Sequence, residues 1–383
     1  MINPSPKLGP FKSLRVVMAG YGPLGQGLLK GLLTEAISTD ALDVVAVVPW
    51  VFDTDADGQD IDTPRHTDGP EGGMAALARA AGVPVWSLDA LNSLNGYTFI
   101  EQLMAHQVDV VLVGSWGEIL KPHVLNLPGC VFVNCHPALL PRHRGPNPYT
   151  AAIRDNDSHS GITFHLMDEG IDTGPVLWQS AVEIEGHQTG GQLRLRCAQL
   201  AQTQVAAFLH TLATQGIEPV DQDRLQASQP PSYDKAPGWA DGQIDWTQPP
   251  EVVLRHIRAL DPWVPVFGRF ANGLHMAVDR LALYPWGHRP DVVDSPMAAR
   301  PGEVVFVNRY QAWVGSADPG WVFCAHNPRL TLPSRLPLVG EMVAMLLQCV
   351  RPYLLRPGTV LVSPLPKPGV VCNSPQDPLV SVR

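Results

Sequence analysis

The sequence predicts an α/β fold, in which a parallel sheet is covered by helices on both faces and is followed by a smaller β-rich C-terminal domain. Two observations support this prediction. Short apolar runs alternate with helical segments over residues 14–134, as in parallel sheets buried on both faces. Further along, residues 263–345 hold several short apolar runs interrupted by Pro and Gly, a pattern typical of short strands.

The elements of the first sheet follow from these runs in order. The first strand is predicted at 14–20, and the first helix begins near Pro23, a residue that suits an initial helical turn. Leu24, Leu28 and Leu32 recur every four residues and indicate the buried face of that helix. The further predicted strands are 42–49, 83–85, 108–114, 130–134 and 161–167, and the further predicted helices are 74–82, 98–106, 121–127 and 190–215.

The chain of 383 residues is long enough for two domains. We predict a first domain at 1–215. The stretch QASQPPSYDKAPGWADG breaks the periodic pattern, so 216–243 is interpreted as a linker. The smaller β-rich domain is predicted at 244–350, with a helix near its start at 249–259, and a Pro-containing tail at 351–383.

The composition is that of a globular protein, with 45% hydrophobic and 16% charged residues. The net charge of −9 argues mildly against general nucleic-acid binding, and we predict no DNA partner. The six Cys form no CxxC pair, so we expect no structural zinc, and Cys130 and Cys135 are interpreted as small buried hydrophobic residues. Without a long apolar stretch or a signal-peptide core, the sequence predicts a cytoplasmic protein with no membrane partner.

A glycine-rich turn follows the first predicted strand. Gly20, Gly22 and Gly25 fit the spacing GxGxxG at a helix N-terminus, where glycine lets a phosphate approach the backbone. This motif favours an alternative function, that of a nicotinamide-dependent oxidoreductase. Against it, the second strand ends at Pro49 and Trp50 with no acidic residue to bind a ribose. A tight strand-to-helix turn needs glycine in any case.

The segment 133–148, VNCHPALLPRHRGPNP, carries the strongest chemical signal. Asn134 and His136 are separated by one residue at a predicted strand end, so their side chains share a face of the sheet. An amide donor beside an imidazole suits a developing oxyanion. Asp172 follows the next strand, and neighbouring parallel strands would bring it beside His136, where a carboxylate orients the ring and raises its pKa.

These segments resemble the folate-dependent formyltransferase family. VNCHPALLPRHRG is similar to the family's active-site segment with its Leu-Leu-Pro motif, and GITFHLMDEGIDTG is similar to the signature that supplies a catalytic Asp. The stretch SYDKAPGWADGQIDWTQPPEVVLRHIRALDPWVPVF is similar to the start of the C-terminal domain in methionyl-tRNA formyltransferases. The resemblance covers residues 108–270 and extends more weakly to 345.

The resemblance implies a Rossmann-like first domain that binds no dinucleotide, and an amine that attacks the formyl group of 10-formyltetrahydrofolate without a metal. Asn134 would hold and polarise the formyl oxygen. His136, in its charged form, would stabilise the oxyanion, and Asp172 would keep His136 protonated and help move the amine proton. The residues matched to the folate pocket are Ser115, Trp116, Gly117, Glu118, Ile119 and Leu120 beside the pteridine, and Leu139, Leu140 and Pro141 of the Leu-Leu-Pro motif.

The acceptor amine is less well defined. The resemblance makes initiator tRNA carrying methionine the first candidate partner. However, residues 53–71, where such enzymes carry a basic insertion, contain seven Asp or Glu and one Arg, which repels phosphate. Formylation of an amino sugar or another small amine, and hydrolysis of the formyl folate, therefore stay open. If tRNA binds, the candidate phosphate contacts are Arg142, Arg144, Arg255 and Arg258.

Overall fold

The computed structural model describes residues 8–11, 13–38, 42–50, 73–87, 93–225, 230–278, 280–288, 299–308, 310–331 and 355–364. The acidic stretch 53–71 and most of the predicted tail 351–383 lie outside these ranges. The chain divides into two compact units. The first holds the described residues up to Trp239 together with Arg255–Pro265, and the second holds Ala240–Leu254 together with the described residues from Val266 onward.

The first unit is built on one sheet with helices between its strands. Its strands are β1 (Leu14–Gly20), β2 (Leu42–Pro49), β3 (Val110–Gly114), β4 (Val131–His136), β5 (His159–Leu166) and β6 (Val176–Glu183). Its helices are α1 (Gly22–Ser38), α2 (Gly73–Ala80), α3 (Tyr97–Ala105), α4 (Pro122–Leu125), α5 (Pro148–Arg154), α6 (Gly190–Thr214) and α7 (Gln222–Leu225). The helix α8 (Pro250–Leu260) crosses the boundary between the units.

The six strands lie in the order β2-β1-β3-β4-β5-β6. Strands β1 to β4 are parallel, whereas β5 is antiparallel to β4 and β6 is antiparallel to β5. The predicted α/β class is confirmed, but the prediction that the strand at 161–167 is parallel to its neighbour was wrong. The connection 137–158 from β4 to β5 contains α5 and is long enough for either direction, so its length does not fix the direction of β5. The connection from β5 to β6 spans only 167–175, which suits the antiparallel pairing of these two strands.

Helices cover both faces of this sheet, as the alternating pattern predicted. On one face, Leu24, Leu28 and Leu32 of α1 pack in a buried cluster with Val205 and Phe208 of α6. On the other face, a second cluster contains side chains of α3, α4 and the opposite sides of the strands: Phe99, Leu103, Val124, Val111 and Phe132. The leucines spaced four apart in α1 and the apolar residues of the strands are thus buried in the core.

The second unit is rich in short strands, as predicted. One four-stranded sheet has the order β10 (Val304–Val307), β11 (Gln311–Gly315), β12 (Trp321–His326) and β9 (Arg280–Pro285). The other has the order β13 (Arg329–Thr331), β8 (His275–Ala277), β7 (Phe267–Phe270) and β14 (Leu361–Val362). Trp246 is completely buried and packs edge-on against Phe323, with ring centroids 5.7 Å apart.

The predicted linker 216–243 divides differently in the structure. The described residues of this stretch up to Trp239 belong to the first unit. Within it, 222–225 form α7, and Arg144 pairs with Tyr233 in a parallel bridge. The pattern of the sequence also did not predict α5 or β6. None of the described helices combines the length and apolar character that crossing a membrane requires.

Candidate active site

The carboxyl end of β4 presents Asn134 and His136 on one face of the sheet. The strand runs from Val131 to His136, and its Asn134 lies between Val113 of β3 and His165 of β5. The intervening Cys135 points to the opposite face, where it is 1% exposed in the core. The alternation of the sequence therefore placed the two polar side chains together, as predicted.

His136 is buried and contacts an oxygen atom with each ring nitrogen. Its Nε2–H donates to the backbone carbonyl of His143 at 2.7 Å, and its Nδ1 lies 3.4 Å from Oδ2 of Asp172. The side chain is 4% exposed. Burial lowers the pKa of the imidazole, and the opposing influence of the Asp172 carboxylate and the His143 carbonyl does not restore it to its ordinary value. The Asp172 carboxylate raises the pKa of His136 as expected, but burial, which the sequence does not reveal, has the larger effect.

Asp172 lies in the connection between β5 and β6, which folds back over the carboxyl end of β4. Its backbone has a φ of 56°, in the left-handed region. The backbone N–H of Gly145 donates to Oδ2 at 2.9 Å, and Gln222 Nε2 donates to the Asp172 carbonyl at 2.8 Å. These contacts hold the carboxylate beside His136 although β5 runs antiparallel to β4.

The electrostatic surroundings of Asp172 favour the carboxylate. Burial alone would raise the pKa of this group, but the imidazoles of His136 and His165 and the N–H of Gly145 outweigh burial and hold it well below its usual range. The group is therefore an anion at neutral pH. A fixed negative charge at this place can stabilise a positive charge that forms on His136.

His165 is a fourth polar side chain at this site, which sequence reasoning missed. It is 2% exposed, its Nδ1–H donates to the Leu166 carbonyl at 2.8 Å, and its Nε2 accepts from Asn134 Nδ2 at 3.1 Å. Asn134 Nδ2 also donates to Asp172 Oδ1 at 3.2 Å. The signal was present in GITFHLM, where Thr163 and His165 share a face of a strand that is otherwise apolar.

The two segments matched to a folate pocket leave neighbouring strands at the same edge of the sheet. Ser115 to Leu120 follow β3, and Leu139 to Pro141 follow β4, and these strands are parallel neighbours. In the first segment, Trp116 packs edge-on against Trp50 with ring centroids 4.7 Å apart, and Ile119 is 68% exposed. In the second segment, Leu140 is buried, and its N–H donates to Thr163 Oγ1 at 3.2 Å.

Protein atoms occupy the space around the glycine-rich turn. Gly22 has a φ of +62°, and a Cβ atom there would lie 2.6 Å from the guanidinium of Arg194. A Cβ atom at Gly25 would lie 2.7 Å from the sulfur of Met74 and 3.2 Å from the carbonyl of Gly114. The glycines therefore allow α1 to pack closely against β3 and α2, which explains the motif without a bound dinucleotide.

Two of the arginines that are candidates for contacting tRNA, Arg142 and Arg144, make hydrogen bonds to other residues of the first unit. Arg142 Nη2 donates to both carboxylate oxygens of Asp157, at 2.9 and 3.1 Å. Arg144 donates to Gln222 Oε1 through Nε at 3.1 Å and through Nη2 at 2.7 Å. Both side chains thus stabilise the segment beside the site.

In the part of the chain that the structure describes, no group of three or more His, Cys, Asp or Glu could hold a metal ion.

The fold and the site define a member of the formyl transferase family, and comparison with known proteins establishes this. Residues 66–209 match the family model described as formyl transferase, and residues 239–325 match the model of the formyl transferase C-terminal domain. The chain belongs to the formyl transferase family.

Several similar proteins are named methionyl-tRNA formyltransferase. A methionyl-tRNA formyltransferase from Chloroflexus aggregans is 35% identical over 221 residues, which cover 58% of this chain and 68% of that protein. One from Xylella fastidiosa is 33% identical, with coverage of 65% and 75%. Other matches to proteins of this name span as little as 54% of the relative, so the chain aligns with between half and three quarters of these proteins.

Solved structures share the fold at low sequence identity. An N-formyltransferase from Helicobacter canadensis, in complex with folinic acid and dTDP-3-aminofucose, superimposes with a TM-score of 0.54 at 16% identity, covering 82% of this chain and 99% of that one. HypX from Aquifex aeolicus in complex with tetrahydrofolic acid has a TM-score of 0.51 at 15% identity, covering 85% of this chain and 45% of that one. These likenesses concern the fold alone.

Proposed function

We propose that this protein transfers a formyl group from 10-formyltetrahydrofolate to a primary amine, and that the amine is the amino group of methionyl-tRNA. The observation that carries the proposal is the cluster of Asn134, His136 and Asp172 at the carboxyl end of β4, in a member of the formyl transferase family. In open α/β sheets, ligands bind beyond the carboxyl ends of the strands, which is where this cluster lies.

The chemistry requires an oxyanion to be stabilised and one proton to be moved. The amine nitrogen attacks the formyl carbon, and the carbonyl electron pair moves onto oxygen to give a tetrahedral intermediate. When the intermediate collapses, the bond between carbon and N10 breaks, and N10 receives a proton while the amine loses one. Oriented hydrogen-bond donors and a nearby acid–base group are the means by which a protein lowers such a barrier.

His136 is proposed to accept the proton of the attacking amine. Its lowered pKa leaves the ring neutral at rest near neutral pH, so the ring can take up a proton when the amine attacks. The imidazolium that then forms lies 3.4 Å from the Asp172 carboxylate, which stabilises it beside the developing oxyanion. This role differs from the resting charged form that the family resemblance implied.

Asn134 is proposed to bind the formyl oxygen through its amide. Both of its amide hydrogens are already engaged, one with His165 and one with Asp172. The formyl oxygen would therefore replace or share one of these acceptors. A donor that is held in place before the substrate arrives loses little freedom when the oxyanion forms, which favours the transition state.

The folate is proposed to bind at Ser115–Leu120 and Leu139–Pro141. Support comes from the position of both segments beside Asn134 and His136, and from fold neighbours whose structures contain folinic acid or tetrahydrofolic acid. The exposed Ile119 and the Trp116 indole would offer apolar surface to the flat pteridine.

We expect folinic acid, a stable 5-formyl analogue of the donor, to bind the protein and to change its tryptophan fluorescence, since Trp116 lies in the proposed pocket. NAD should produce no change, because the turn at Gly20–Gly25 is filled by protein side chains. Calorimetric titration with both compounds measures binding, and fluorescence titration measures the tryptophan response. If folinic acid fails to bind at millimolar concentration, or NAD binds instead, the proposed function is wrong.

Methionyl-tRNA is favoured as acceptor because relatives of that name are 33–35% identical over 58–65% of this chain, although fold neighbours act on amino sugars. Arg255 and Arg258 of α8 are the other candidate phosphate contacts, and Arg255 Nε donates to the Arg154 carbonyl at 3.2 Å. Burial and the neighbouring charge of Arg255 lower the pKa of Arg258, and the Arg258 Nε finds no hydrogen-bond acceptor among the described residues. Two guanidinium groups in this arrangement would be stabilised by an anion.

If tRNA is the acceptor, we expect kcat/KM to fall steeply with added salt, since each phosphate contact releases condensed cations. The variant Arg258→Ala should reduce that slope by about one contact. Arg79→Ala, which removes an exposed charge in α2, is the matched control and should leave the slope unchanged. A rate on tRNA that does not depend on salt, or efficient formylation of a nucleotide-linked amino sugar alone, would contradict the tRNA assignment.

A further inference from the structure

We propose that His143 is a positioning residue for this reaction, in which its imidazolium, clamped between Asp157 and Asp234, fixes the backbone carbonyl that receives the Nε2 hydrogen of His136. The inference rests on the proposed function for its kinetic consequence, while its structural consequence can be measured without any substrate. His143 itself lies one step removed from the reacting atoms and acts through His136.

The side chain of His143 is 3% exposed and lies between two carboxylates. Its Nε2 lies 2.6 Å from Asp157 Oδ2, and its Nδ1 lies 3.0 Å from Asp234 Oδ2. A carboxylate oxygen can only accept, so both ring nitrogens must carry hydrogen for both contacts to form. Burial opposes the charge, but the two hydrogen bonds outweigh it and raise the pKa of His143.

The charges that surround His143 balance when this ring is protonated. Arg142 Nη2 lies 3.3 Å from His143 Nε2 and opposes its charge, but it is itself bound to Asp157 and lies 3.7 Å from Asp155. Arg154 binds Asp234 at 2.7 Å and Asp155 at 3.0 Å. The cluster then contains three cations, which are Arg142, His143 and Arg154, and three anions, which are Asp155, Asp157 and Asp234.

The clamp acts on a backbone that is held on both sides. His143 has a φ of 56°, in the left-handed region that is uncommon for residues other than glycine. Its N–H donates to Ser232 Oγ at 2.8 Å, and the N–H of Arg144 donates to the Ser232 carbonyl at 3.0 Å. Asp234 closes the arrangement, because its N–H donates to the Arg144 carbonyl at 2.8 Å.

The direction of the His143 carbonyl decides how the catalytic ring is oriented. This carbonyl accepts the Nε2–H of His136 at 2.7 Å, so the other ring nitrogen, Nδ1, must face Asp172. If the carbonyl turns away, the ring of His136 can rotate, and its second tautomer becomes accessible. The segment at 232–234, which the sequence suggested was a linker, thus contributes to the orientation of His136.

The test compares Asp234→Asn with the matched control Asp155→Asn, which removes the same charge from the same cluster without touching His143. We expect Asp234→Asn to lower kcat about tenfold, because misplaced catalytic groups lose rate, with a much smaller change in KM for the folate. Asp155→Asn should stay within about twofold of wild type. Asp157→Asn is a second variant of the clamp and should behave like Asp234→Asn.

The pH profile separates positioning from a general structural role. Since the pKa of His143 is raised, its charge is present at low pH and is lost as the pH rises through that value. Loss of the charge removes one clamping hydrogen bond, so kcat should decline on the alkaline side. Asp234→Asn removes one carboxylate, so the pKa of His143 falls and this decline should move to lower pH in the variant, but not in Asp155→Asn.

A second measurement needs no activity, so it distinguishes failure of this inference from failure of the proposed function. In protein labelled with nitrogen-15 in its imidazoles, NMR reports which nitrogen of His136 carries the hydrogen, with His136→Gln used for assignment. We expect the Nε2–H tautomer in wild type and in Asp155→Asn, and a mixture of tautomers in Asp234→Asn and Asp157→Asn. If both clamp variants fold, keep the wild-type tautomer and retain wild-type kcat, the inference is overturned.

Discussion

Replacing His136 with alanine is expected to lower kcat by about 10²–10³, the usual loss when one group that stabilises an oxyanion or moves its proton is removed. The affinity for folinic acid should change little, because the proposed contacts of His136 are made in the transition state and not with the bound donor. Single-turnover kinetics and calorimetry on the same preparations measure the two quantities.

His187→Ala provides the control for His136→Ala, since His187 is 82% exposed in its side chain and lies outside the site. In wild type, the neutral ring of His136 is the form that accepts a proton, so the rate should fall as the pH drops through the lowered pKa of this group. That acidic decline should be absent in His136→Ala. Near-normal turnover of His136→Ala would show that another group accepts the proton.

Replacing Asp172 with asparagine is expected to reduce kcat by about 10² or more. The amide has the size of the carboxylate and can still accept the N–H of Gly145, but it lacks the charge that stabilises an imidazolium on His136. The loss of this charge also lowers the pKa of His136 further, so the acidic decline in rate should move to lower pH. Kinetics across the pH range measure both effects.

Asp168→Asn is the matched control for Asp172→Asn, because Asp168 belongs to the same connection between β5 and β6. Its carboxylate binds Gly170 and Thr173 and makes no contact with His136 among those that the structure describes. We expect a far smaller loss in kcat for this variant. Equal losses in the two variants would indicate that the connection is merely destabilised and that the charge of Asp172 has no special role.

Much of the first unit could be predicted because its elements have strong periodicity. The leucines of α1 and the apolar runs of β1 to β4 correspond to cores on the two faces of the sheet. The direction of β5 could not be predicted from its residues, because a buried strand reads the same in either direction. Helix α5 was missed, although Asn147 caps it and Pro148 begins it, which is a recognisable start signal.

At the candidate site, alternation along one strand predicted that Asn134 and His136 share a face, and the structure agrees. What pattern alone could not provide is the set of long-range contacts. The clamp of His143 joins residues separated by 91 positions, and the bond from Gln222 to the Asp172 carbonyl spans 50 positions. Nor could spacing reveal that burial outweighs the carboxylate in the pKa of His136, because burial depends on the packed structure.

Transfer of a formyl group from folate to an amine can be followed within a single turnover. The enzyme, in excess over 10-formyltetrahydrofolate labelled with carbon-13 in the formyl group, is mixed with methionyl-tRNA, and the label is followed by NMR and mass spectrometry. We expect the label to appear in an amide on the methionine, with one tetrahydrofolate formed for each amide. Release of the label as formate without an amide, or no release of tetrahydrofolate with any amine offered, would contradict the proposed formyl transfer.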